Sequence, residues 1–119
     1  MKFHEFLKIL RSSREIGLRE FAHSIGMDVG NYSKLERGLL SPPQKTELFE
    51  KLAKRLDLSR DEKSKLIDMA SLANGRIPED VAEEVKSSEY LPVLLRTIAN
   101  KQLTDDQIRE LTDRINKKY

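Results

Sequence analysis

Residues 17–38, GLREFAHSIGMDVGNYSKLERG, decide how this chain folds. The stretch reads as two short helices joined by a tight turn. Ala22 stands four residues before Gly26, so a small side chain sits on the inner face just ahead of a helix-ending glycine. Helices that cross steeply need such a residue where they touch. Ile25, Tyr32 and Leu35 supply apolar faces on either side of the turn, and Gly38 follows directly on Glu36-Arg37. Glycine past a last turn takes the left-handed conformation without steric cost. Gly17 can cap a helix over 18–24, and Asp28 is a good N-cap for one near 29–37. With Tyr32 and Leu35 packed inward, the outward positions of the second helix are Val29, Gly30, Ser33, Lys34 and Arg37.

Working outward, Phe3, Phe6, Leu7 and Leu10 recur at helical spacing and predict a first helix near 2–13. Ser41-Pro42-Pro43 is a breaker with proline suited to the start of a helix. Leu48, Phe49, Leu52, Ala53 and Leu56 mark a fourth helix. Ser59-Arg60-Asp61-Glu62 has the capping-box pattern and opens a fifth, carrying Leu66, Ile67, Met69 and Ala70 up to Asn74-Gly75. NGRIP at 74–78 is the expected boundary. Beyond it lie helical patterns at 79–86 and 89–99, then a last helix opened by the capping box Thr104-Asp105-Asp106-Gln107. No segment alternates like a strand and nothing repeats. The expectation is an all-α chain of about eight helices: a five-helix domain over 1–75 and a small helical extension over 76–119.

The stretch resembles the helix-turn-helix of phage-repressor or Xre-like transcription regulators. FLKILRSSREI is similar to the family's first helix, with its L-x-x-L-R motif at Leu7 to Arg11. LERG-LLSPP-QKTELFEKLAKRLDLS is similar to the region running through its fourth helix and into its fifth. The resemblance covers roughly residues 2–70. It implies a sequence-specific DNA-binding regulator, a repressor that binds operator duplex as a dimer. The family's base-reading positions fall on Val29, Gly30, Ser33 and Lys34. Lys34 can donate to guanine or phosphate, Ser33 can reach either, and Val29 can touch a thymine methyl. Gly30 permits close backbone approach. Helix-start N–H groups near Gly17 and Leu18 are suited to a phosphate. Many relatives carry glutamine where this chain has Leu18, so one polar contact is lost and Arg19, next along, can replace it. Arg37 falls where relatives touch the DNA backbone. Arg11 and Glu36 map onto an ion pair between the first helix and the end of the third; the alternative is two separate surface charges. Tyr32 replaces a usual aliphatic residue; with its ring inward and its hydroxyl at the rim it can reach a phosphate, and plain core packing is the favoured alternative.

Composition narrows the class. Lys and Arg total 22 against 20 Asp and Glu, a net charge of +2. Residues 1–75 hold 14 basic against 11 acidic side chains, and 76–119 hold 8 against 9, so the basic excess lies with the helix-turn-helix. There is no cysteine, hence no disulfide and no thiolate metal site. Without an apolar run of spanning length or a signal-peptide core, a soluble cytoplasmic protein with no membrane association is expected. His4 and His23, the two histidines, stand on different helices without ligand-spaced partners and read as surface residues. No nucleophile–base constellation or phosphate-cradling glycine loop is present, so the expectations are no enzyme, no metal and no cofactor.

The tail carries its own stripes: Leu91, Leu94, Leu95 and Ile98, then Ile108, Leu111 and Ile115. They can pack on the N-terminal bundle or on a second chain. The family resemblance implies a homodimer on double-stranded DNA. Two alternatives stand beside it: an antitoxin that neutralises a cognate toxin through these helices while repressing its own operon, or a repressor inactivated by a partner metallopeptidase, to which LPVLLRTIA bears a loose similarity.

Overall fold

A computed structural model describes residues 1–119, and every regular element is an α-helix. The helices are α1 (Phe3–Ser13), α2 (Leu18–Ser24), α3 (Val29–Glu36), α4 (Thr46–Leu56), α5 (Arg60–Ala73), α6 (Glu79–Val85), α7 (Leu91–Lys101) and α8 (Asp105–Lys118). The chain divides into two compact units, Met1–Val81 and Ala82–Tyr119, with the division inside α6.

In the first unit, α1 packs against α3 and α5, α2 against α3, and α4 against α5. One contiguous core results. Phe3, Phe6, Leu7 and Leu10 come from α1, Phe21 and Ala22 from α2, Tyr32 and Leu35 from α3, Phe49, Leu52 and Leu56 from α4, and Leu66 and Ala70 from α5. Ile25, just past α2, completes it. The four α1 residues form one buried stripe, because residues three and four apart share a face. Phe3 meets Phe49 edge-on at 6.5 Å between ring centroids.

Local chemistry sets the helix ends. Both expected capping boxes form. Ser59 Oγ accepts from the Glu62 N–H at 3.1 Å, and Glu62 Oε1 accepts from the Ser59 N–H at 2.9 Å. Thr104 and Gln107 make the same reciprocal pair at α8. The prolines behave differently from the expectation. Lys45 is the N-cap of α4, so Pro42 and Pro43 sit ahead of the helix and not in its first turn. Their segment is tied to α5 instead: Asn74 Nδ2 donates to Pro42 O at 3.1 Å and to Ala70 O at 3.0 Å.

A second polar seam joins α1 to the far end of the bundle. Arg14 Nε donates to Leu56 O, Nη1 to Leu10 O at 3.0 Å, and Nη2 lies 3.3 Å from Glu62 Oε1. One guanidinium thereby satisfies carbonyls at two helix C-termini, where orphan acceptors otherwise remain. In the second unit α7 and α8 bury no residue.

Candidate nucleic-acid interface

α2 and α3 form a helix-turn-helix, and the same terminating device closes both. Gly26 follows α2 at φ +73° and Gly38 follows α3 at φ +77°. In each case the glycine N–H and the next N–H fold back onto the helix: Gly26 to His23 O and Met27 to Ala22 O, then Gly38 to Leu35 O and Leu39 to Lys34 O. Left-handed backbone costs an L-residue about 1–2 kcal/mol. Gly38 has a further constraint, because a Cβ there would lie 2.8 Å from Cε1 of the His4 ring. His4 is therefore partly buried against the end of α3, a packing role that its surface reading missed. Ala22 is fully buried at the helix contact, as its spacing required, and Phe21 meets Tyr32 edge-to-face at 5.2 Å.

Arg11 orients this pair of helices. Its Nη2 lies 2.6 Å from Glu36 Oε1, its Nε 3.0 Å from Glu36 Oε2, and its Nη1 donates to Ile16 O at 2.7 Å. The side chains are 12% and 3% exposed, so the pair is nearly desolvated. Bidentate geometry of this kind fixes direction as well as distance. The hydrogen bond to Glu36 raises the Arg11 pKa against the opposing effect of burial. One residue thus links α1 to the last turn of α3 and to the carbonyl just before Gly17, the N-cap of α2. The two helix ends that bound the outward face are held by the same fork.

Tyr32 takes the core-packing alternative. Its side chain is fully buried and its hydroxyl is neither at the rim nor hydrogen-bonded. Burial, reinforced by the neighbouring Glu36 carboxylate, pushes its pKa far up. The hydroxyl has no route to a phosphate.

The other expected positions differ in exposure. Arg19, Lys34 and Arg37 are exposed, and none forms a salt bridge. Arg37 Nε donates to Ser33 O at 3.3 Å, which lays its side chain back along α3. Gly17 and Gly30 are exposed, and Ser33 is half-buried. Leu18 and Val29 are half-buried and pack against the core, so much of each side chain is committed inward. Gly30 has a local reason to lack a side chain: a Cβ would sit 3.1 Å from Asp28 Oδ2, the carboxylate that caps α3 through the Asn31 N–H. The sequence reading passed over Asn31, which is exposed on the first turn of α3. Its signal was available in the residue type, an amide able to both donate and accept.

One open groove of about 740 Å³ lies beside this region, lined by residues that include His4, Ser41 and Asp68. No hydrogen bond joins these three, and the other walls are mainly apolar side chains such as Phe3, Leu39, Leu40, Met69 and Leu72. No group of three or more His, Asp or Glu side chains is placed to hold a metal ion. No helix is long and apolar enough to cross a membrane.

No protein-family model matches the chain. No curated protein matches it. A solved structure, the SinR protein/SinI protein complex, is similar at 21% identity over 96% of this chain and 94% of that one, with a TM-score of 0.47. At that level of likeness the functional reading rests on this chain's own geometry.

Proposed function

We propose that this chain is an Xre-like transcription regulator, a repressor whose residues 1–75 bind operator duplex and whose residues 76–119 join two copies. The observation that carries the reading is the Arg11 clamp. It holds α3 in one orientation while leaving Asn31, Lys34 and Arg37 exposed and without ionic partners. An oriented helix with a polar outer face suits a major groove. Arg19 and the N–H groups at Gly17 and Leu18 would meet phosphates, which position the protein without carrying sequence information. Val29 keeps its proposed thymine contact, and Ser33 a contact to base or backbone. Two such helices would address half-sites about 34 Å apart, one turn of DNA.

The tail supports the dimer. Leu94, Leu95, Ile108 and Ile115 are exposed, while Leu91, Ile98 and Leu111 are only partly covered. Apolar faces of this kind mark interfaces. The same observation favours a second reading, in which a toxin or a metallopeptidase covers them.

Selection of bound duplex from a random pool, then fluorescence anisotropy at rising salt, tests DNA binding. Affinity should fall steeply with salt as phosphate contacts release counterions. A folded protein that retains no duplex at low salt refutes the regulator reading. Light scattering tests the tail: the wild type should be a dimer at tens of micromolar and Leu94→Asp a monomer. A monomeric wild type would instead favour the heterologous partner.

A further inference from the structure

The exposed face of α3 is poor in groups that can tell one base pair from another. Val29 is turned partly into the core, Gly30 has no side chain, and Ser33 is half-buried. Arg37 is folded back onto the Ser33 carbonyl. Lys34 is exposed but offers donors only, which serve a guanine edge or a phosphate equally.

Asn31 is different. It is the third residue of α3, and it is exposed. Its main-chain N–H is already satisfied by Asp28 Oδ2 at 3.0 Å. Its side-chain amide makes no hydrogen bond, neither as a cap nor to a neighbour. Asparagine is a mediocre helix former whose usual use in helices is capping, and Asp28 fills that role here. Nothing in the fold therefore calls for an amide at 31. It stands three residues before Lys34, and residues at that spacing are neighbours on a helix surface.

Resting on the DNA-binding reading above, we infer that Asn31 is the specificity-determining residue of the recognition helix and reads an adenine in the major groove. The amide presents an acceptor and a donor in one plane. Adenine alone presents the complementary N6–H donor and N7 acceptor side by side in the major groove. Lys34, adjacent on the surface, would contact a neighbouring guanine or its phosphate and add affinity with less discrimination.

The test uses the full chain. Duplexes are selected from a random pool by wild type and by Asn31→Ala, and the preferred wild-type site is then titrated by both proteins with each base pair substituted in turn. Wild type should show one strongly preferred A·T pair per half-site. Asn31→Ala should lose about fivefold to 150-fold on that site, the fold-change equivalent to about 1–3 kcal/mol. On duplexes already substituted at that pair, the two proteins should bind alike. The thermal midpoint of the variant should stay level or rise, since alanine is the better helix former. Asn31→Gln, which keeps the amide, should retain part of the adenine preference. A variant that keeps the wild-type preference at every position overturns the inference and leaves the DNA-binding reading standing. A folded wild type that selects no duplex overturns both.

Discussion

α5 and α8 are both 14-residue helices, each opened by a complete capping box, yet they end in opposite circumstances. α5 seats Leu66 and Ala70 in a shared core. α8 carries Ile108, Leu111 and Ile115 at helical spacing and buries none of them. Helix formation and helix packing are separate achievements. Caps and propensity can start an element, but most helical stability in a protein comes from covering its apolar face. The difference between the two helices is thus a difference in cover: only α5 buries its apolar face within its own unit.

Paired truncations give the sharpest contrast. Leu66→Ala should destabilise the first unit by about 2–5 kcal/mol, the range for large-to-small changes in a filled core. Leu111→Ala should leave that unit's unfolding free energy, from chemical denaturation, within about 0.5 kcal/mol, while weakening self-association. Equal costs at the two positions would erase the distinction.

Comparable in size is the Arg11 clamp. Arg11→Ala strands Glu36, which is 3% exposed, and should cost roughly 3–5 kcal/mol. A double-mutant cycle with Glu36→Gln measures the coupling. Simple additivity would mean the two side chains do not act as a pair.

A smaller effect is expected at Gly38. Alanine there is opposed by the left-handed backbone, about 1–2 kcal/mol, and by the His4 ring. Combining it with His4→Ala should relieve the steric part only, so thermal melts of the two singles and the double will not add.

Smallest is the acid response of Glu62. The Ser59 N–H, with help from the Arg14 charge, holds this carboxyl below its ordinary value of 4.5. Its contribution is therefore complete above the unfolded-state pKa and lost as pH falls through the folded one. Glu62→Gln should flatten that part of the acid limb, with a change at neutral pH under about 1 kcal/mol.

Much of this was legible from residue spacing. Gly26 and Gly38 announced the ends of α2 and α3, and Ser59 and Thr104 announced the starts of α5 and α8. Arg11 and Glu36 are 25 residues apart; only the family resemblance joined them, because no local period links such positions. Three turns gave no glycine signal at all: Glu15, Asp57 and Gln102 adopt positive φ as non-glycine residues. Core packing of Tyr32 was the favoured reading, but a rim position for its hydroxyl stayed open because tyrosine usually keeps that end wet. The depth of the helix contact, set by Phe21 and Ala22 together, is a tertiary property. His4 over Gly38 was invisible for the same reason. Asn31 was legible but passed over, since attention to its flanking outward positions placed it off the face.

Whether duplex meets α2 and α3 is decided by amide chemical-shift mapping of the full chain with its selected duplex. Perturbations should concentrate at Gly17–Arg19 and on the exposed face of α3, at Asn31, Lys34 and Arg37, with α7 and α8 unchanged by duplex. Perturbations confined to the tail helices, with α2 and α3 silent at saturating duplex, would contradict that placement.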